Sequence, residues 1–148
     1  MTPRRINPPH YFLLAIIAMG ALSVLPGAPV LAGPWRWLGA VPIVLGIALA
    51  VVASQQFARA GTNILPLSKS TALVTTGAFA FTRNPMYVGM NLVLAGIALM
   101  LNSVWPWLVL PAFLALLYLR FIRHEEVLME ATFGEQYRAY RAKVRRFI

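Results

Sequence analysis

Four apolar stretches, at residues 11–31, 35–57, 86–101 and 104–122, leave this chain little choice of fold. Crossing a lipid hydrocarbon core takes about 20 helical residues, with a range near 17–25. The third stretch is short and is expected to begin inside the interface or to thin the bilayer locally. Only Asn102 and Ser103 separate the third from the fourth, which predicts a tight helical hairpin. Pro26 and Pro29 predict a bend late in the first. Burial in a soluble core is not an alternative. The 148 residues are 59% hydrophobic and 11% charged, against roughly 45–50% apolar and about 25% charged for a soluble domain. A chain of this size encloses too little interior to hide such a surplus from water. The expectation is an all-α integral membrane helical bundle, one domain over residues 1–148. It has about four transmembrane helices, a connector at residues 58–84 and a C-terminal amphipathic cytoplasmic helix within residues 124–148.

Charge placement gives an orientation. The chain has no Asp, and its four acids are Glu125, Glu126, Glu130 and Glu135, so the first 124 residues carry no negative side chain. If four helices alternate, twelve of the thirteen Lys and Arg residues fall on one side, from Arg4 and Arg5 through Arg59, Lys69, Arg83, Arg120 and Arg123 to the C-terminal group; only Arg36 falls on the other. By the positive-inside rule both termini and the connector are expected to be cytoplasmic. Trp35, Trp37, Trp105 and Trp107 then form an aromatic belt at the opposite interface. The net charge of +9 suits anionic lipid headgroups. No recognition module accompanies it, which argues against nucleic acid. The N-terminus also has a signal-peptide pattern, with Arg4, Arg5, an apolar run and Val30-Leu31-Ala32, but the run is long for one. Without Cys, thiolate nucleophiles, disulfides and thiolate metal sites are excluded, and two His with no Asp make a dedicated metal site improbable.

Small residues mark helix contacts: Gly39, Gly46, Ala50 and Ala53 share one face of the second apolar helix, as Gly89 and Gly96 do on the third. Near the C-terminus Phe133, Tyr137, Tyr140, Val144 and Phe147 recur at spacings of four and three between basic residues, with Gly134 near a turn. That is the pattern of an amphipathic helix lying on the membrane surface, as an anchor, a lid or both.

Two polar clusters share the cytoplasmic side. The connector, Gly61-Thr-Asn-Ile-Leu-Pro66 then Thr71-Ala-Leu-Val-Thr-Thr-Gly77-Ala-Phe79, is too apolar for a plain linker. It leads into Arg83-Asn84-Pro85-Met86-Tyr87-Val88-Gly89, where Pro85 suits a first helical turn and the helix start favours a carboxylate. The other cluster is Arg120, Arg123, His124, Glu125, Glu126 and Glu130. Arg120, Arg123 and His124 share a face, and Arg123 and Glu126 are spaced to pair. Such a cluster can be a snorkelling helix end, but polar groups at membrane depth are functional candidates.

These segments, Leu73-Val-Thr-Thr-Gly-Ala-Phe79, Arg83-Asn-Pro-Met-Tyr-Val-Gly89, Glu125-Glu126 and Phe133-Gly134-Glu-Gln-Tyr137-Arg-Ala-Tyr140, resemble the isoprenylcysteine carboxyl methyltransferase family and its phospholipid N-methyltransferase relatives. The likeness covers roughly residues 60–148, and the first two helices match in character only. It implies S-adenosyl-L-methionine held between membrane helices and their cytoplasmic connections, with no Rossmann glycine loop, and none is present. By position it implies a cofactor pocket lined by Thr71, Ala72, Leu73, Val74, Phe79, Asn84, Pro85, Met86 and Tyr87, with His124, Glu125 and Glu126 near it and Glu125 on a polar end of the cofactor. Phe79 stands where eukaryotic members often have Tyr, and Asn84 where many have His. Arg83 belongs to the motif in a catalytic or structural role, and Arg120 and Arg123 are the candidates for the Arg that meets substrate.

Methyl transfer from a sulfonium needs an in-line nucleophile and exclusion of water. A carboxylate acceptor is already ionised near neutrality and needs a cation to orient it, for which Arg is suited. An amine needs a base instead. Many Arg and few acids favour a carboxylate, so carboxyl methylation of an isoprenylcysteine-like acceptor entering from the bilayer is the first expectation. Phospholipid or small-amphiphile methylation is the second, and a non-enzymatic membrane protein retaining the fold is the third. Some sterol reductases share a related C-terminal motif, but this chain is short for a nicotinamide dinucleotide beside a sterol.

Overall fold

The computed structural model describes residues 7–62 and 70–148. Arg4, Arg5, Lys69 and most of the 61–66 turn discussed above lie outside them. Among the described residues six α-helices follow one another: α1 Pro8–Ser23, α2 Ala40–Arg59, α3 Pro85–Leu101, α4 Val109–Leu117, α5 Arg123–Phe133 and α6 Glu135–Lys143. Among the described residues there is no strand. A 3-10 turn extends α2 backwards, so Gly33–Arg59 is one continuous helix of 27 residues. A 3-10 turn before α4 and a π turn after it join Trp105–Phe133 into one of 29. Both are long and apolar enough to cross a membrane, and α1 and α3 are shorter apolar helices.

Adjacent helices alternate in direction. Gly39 lies against Gly96 and Gly46 against Gly89, so a Cβ on any of the four would run into the carbonyl of its partner. That is the geometry of close antiparallel packing in lipid, where small side chains let backbones meet. Tyr11 at the start of α1 packs edge-on against Phe121 beyond the end of α4, while the turn after α1 meets the start of α4 through Trp105, whose Nε1 donates to Pro26 O at 2.9 Å. The core between α1, α3 and α4 includes Met19, Leu94, Ala98 and Leu117, all fully buried. The outer faces are apolar as well: Leu14, Ile17, Val44, Leu45 and Ile47 are more than half exposed. An apolar exterior around an apolar core is what a lipid solvent selects, and this is an integral membrane protein.

The first apolar stretch does not continue as one bent helix. α1 stops at Ser23 and residues 24–32 are irregular. Pro26 and Pro29 lack the N–H that continues a helix, and the freed backbone finds partners far along the chain. Asn102 Oδ1 accepts from Leu31 N at 2.8 Å and Asn102 Nδ2 donates to Leu31 O at 3.0 Å. Asn102 itself ends α3 in the left-handed region, at φ 52°, which Asn tolerates better than most residues.

The C-terminal segment is likewise not one surface helix. α5 runs on from the fourth apolar stretch, and the chain breaks at Gly134, whose φ of 52° and ψ of −119° favour glycine. The aromatic face of α6 is covered by protein: Tyr137 and Tyr140 are buried. The Tyr140 hydroxyl donates to Phe79 O at 2.6 Å, and burial pushes its pKa up to about 12. Burial, and then the negative charge of Glu126, also raises that of Tyr137.

Candidate functional site

At one end of the bundle the connector, the start of α3, α5 and α6 converge. The connector is shaped by side chains that satisfy its backbone. Thr71 N donates to Thr62 Oγ1 and Thr71 Oγ1 donates to Gly61 O, each at 3.1 Å. Gln56, near the end of α2, donates to Thr76 O at 3.1 Å and accepts from Ala78 N at 3.2 Å. Gly77, at φ 59°, is the residue those bonds require: a Cβ there would collide with the Gln56 amide. Phe79 is buried, its ring 4.8 Å from that of Phe57. Between α2 and the connector lies an open groove of about 360 Å³ lined by Gln56, Arg59, Ala60, Leu73, Val74, Thr75 and Thr76. Leu73 and Val74 line this groove, Ala72 is half-buried beside them, and Thr71 is exposed.

The motif before α3 is held from the C-terminus. Asn84 Nδ2 donates to Arg146 O at 2.9 Å, Thr82 Oγ1 to the same carbonyl at 3.1 Å, and Arg83 N to Arg145 O at 3.0 Å. Pro85 and Tyr87 are buried and Met86 half-buried. The Tyr87 hydroxyl donates to Glu125 Oε1 at 2.9 Å, joining two motif residues 38 positions apart.

Glu126 does not pair with Arg123. It lies 3.2 Å from Arg83 Nη1 and accepts two parallel bonds from Arg146 Nε and Nη2, each at 2.8 Å. The reason is reach: Arg123 is exposed, whereas the Arg83 side chain is 8% exposed and the tail brings Arg146 to the same carboxylate. Arg83 Nη1 also donates to Tyr137 Oη at 3.3 Å, while its Nε is a buried donor with no acceptor among the described residues. Glu130 pairs with Arg141 and Arg138, and Glu135 with Arg138. Glu125 is therefore the one acid with no cationic partner among the described residues. Arg120 lies in the π turn and Arg123 and His124 just after it; all three are exposed, and neither Arg is in an ion pair among the described residues. Such turns recur at functional sites. Arg146 and Gln56 were not singled out in the sequence, and Tyr137 was read only as part of an aromatic face and a motif. Their signal, a surplus of Arg over four acids and an aromatic stripe, also describes a lipid-facing helix.

The phospholipid methyltransferase family profile matches residues 34–136, which take in α2 to α5 and both polar clusters. The chain belongs to the phospholipid methyltransferase family. No curated protein matches it. Among solved structures, the eukaryotic intramembrane Ras methyltransferase ICMT (isoprenylcysteine carboxyl methyltransferase) superposes with a TM-score of 0.72 at 22% identity, over 97% of this chain and 56% of that one. This member of the phospholipid methyltransferase family thus shares the fold of ICMT and spans little more than half its length.

Proposed function

We propose that this protein is an S-adenosylmethionine-dependent methyltransferase acting at the membrane on a lipophilic acceptor. The observation that carries the reading is the half-buried Tyr87–Glu125 contact, which leaves one carboxylate without a cation among the described residues in a site rich in Arg. S-adenosylmethionine fits that imbalance, because its sulfonium and ammonium outweigh its one carboxylate. The groove residues Leu73 and Val74, with Tyr87 and Glu125, would hold it, and the buried Arg83 Nε offers a donor still to be satisfied. When bound, the cofactor supplies an electrophilic methyl group. The chain's own part is to bind, to orient and to exclude water.

The acceptor reading favoured here is a carboxylate, as in an isoprenylcysteine-like thioether acid. Three of the four acids are already neutralised by Arg, while Arg120 and Arg123 remain exposed where the fourth apolar stretch ends. Such guanidinium groups can orient an anion and leave no proton to be removed. Methylation of a phospholipid amine is the second reading, favoured by the family's name, and would draw its base from His124 or Glu125. Calorimetry with S-adenosylhomocysteine on detergent-purified protein tests the cofactor, and methyl transfer to a prenylated thioether acid against an aminophospholipid separates the acceptors. Absence of cofactor binding would refute the enzyme reading and leave a lipid-binding relative of the fold.

A further inference from the structure

Residues beyond α6 leave the helix in extended conformation, with Val144 at φ −116° and ψ 129°, and run back across the start of α3. One residue of this tail joins segments far apart in the chain. The Arg146 main-chain carbonyl accepts from Thr82 Oγ1 and Asn84 Nδ2. Its side chain grips both oxygens of Glu126 and lies 4.9 Å over the Tyr118 ring of the π turn.

We propose that Arg146 is a positioning residue, tying residues 82–84 to Glu126 and so setting the distance between two walls of the cofactor site. The tie exists whatever the ligand is; that it serves S-adenosylmethionine rests on the proposed function. A basic tail that merely met lipid headgroups would leave its guanidinium groups outward, as the exposed Arg145 is. Arg146 instead spends a bidentate fork on a carboxylate that already has Arg83 beside it at 3.2 Å. Charge neutralisation alone does not require that second guanidinium. Removing it leaves Glu126 paired with Arg83, one link to residues 82–84 in place of two, so the effect of Arg146→Ala is a loosened separation and not an orphaned buried charge.

The test uses the full chain in detergent, with amide hydrogen exchange in peptides covering residues 82–90 and 123–128 and calorimetry with S-adenosylhomocysteine. Arg146→Ala is expected to speed exchange in both peptides without ligand and to weaken affinity about tenfold, the loss of one charge-assisted contact. Arg146→Lys, which keeps the charge but not the fork, is expected to fall between. Arg141→Ala removes an ion pair from α6 to Glu130 of α5 and is expected to match the parent in both readings. Parent-like exchange in Arg146→Ala overturns the proposal, and so does faster exchange with unchanged affinity. If the parent itself binds no S-adenosylhomocysteine, the methyltransferase reading fails, while exchange still decides whether the tie exists. Should the Ala variant not fold, the Lys variant carries the same comparison.

Discussion

Glu125 and Glu126 are adjacent in sequence and opposite in partnership: Glu126 is held by two guanidinium groups, while Glu125 meets the phenol of Tyr87 alone. A carboxylate already neutralised has little left for a cationic ligand, so Glu125 is the one expected to contact the cofactor. A hydrogen bond to a charged group contributes about 1.5–3 kcal/mol. Glu125→Gln is therefore expected to weaken S-adenosylhomocysteine binding tenfold or more, and Tyr87→Ala to weaken it as well. Calorimetry on both variants decides this, and parent-like affinity in folded protein removes the pair from the site.

Packing of α2 on α3 makes a separate prediction. Gly39 and Gly46 meet the carbonyls of Gly96 and Gly89, so Ala at either α2 position forces the backbones apart. Overpacking of this kind costs about 1–3 kcal/mol. Gly46→Ala is expected to lower the thermal midpoint in detergent, whereas Gly20→Ala, which meets nothing within 4 Å, is expected to leave it in place or raise it slightly.

The helices were legible because apolar length and small-residue spacing are local properties. Gly39, Gly46, Gly89 and Gly96 share their faces in sequence as they do in space. Tyr87 and Glu125 were each drawn from a motif, and only the fold shows them in contact. What escaped is what depends on a distant partner. Pro26 and Pro29 promise a bend or an end, and the choice falls to Asn102 and Trp105, more than 70 positions away. The spacing of Tyr137 and Tyr140 reports an apolar face without saying what covers it; here it is the connector, through Phe79. Arg146 reads as another topological cation until its carboxylate is found.

Tyr140 has a measurable pH consequence. Its hydroxyl is protonated and donating in the folded protein, with a pKa pushed up to about 12 from the usual 10.0. An acid whose folded pKa is raised binds more protons folded than unfolded above its unfolded pKa. The stability it contributes is therefore complete below pH 10 and is lost as pH rises towards 12. Tyr140→Phe is expected to be less stable than the parent near neutrality, since Phe79 O loses its donor, and to show a shallower decline across that alkaline window. Thermal midpoints from pH 8 to 11 check it; parallel curves would show that the hydroxyl does not titrate with folding.

Arg59, Arg83, Arg120 and Arg123 sit at or beside one end of the bundle, with α5 and α6, while Arg36 and the four Trp residues are at the other. With the positive-inside rule this predicts that the candidate site and the C-terminus face the cytoplasm. Reporter fusions at Asn102 are expected to read as external and fusions after Ile148 as internal. The reverse pattern would invert the assignment.

Arg120 and Arg123 flank the end of the π turn, exposed and outside every ion pair among the described residues, where a lipophilic molecule sliding along the fourth apolar helix would meet them first. The alternative pairing with Glu126 or Glu130 is filled by Arg83, Arg146, Arg138 and Arg141. Their guanidinium groups are thus free to orient an anionic acceptor, or else they only snorkel to the interface. Lys preserves snorkelling and charge but lacks the planar fork. Arg120→Lys and Arg123→Lys are therefore expected to separate the two roles. At least one should lower methyl transfer to a prenylated thioether acid, by about tenfold for the loss of one charge-assisted bond, while S-adenosylhomocysteine affinity holds. Transfer at the parent rate in both variants would mean that neither Arg orients the acceptor and that the cluster serves only to anchor a helix end.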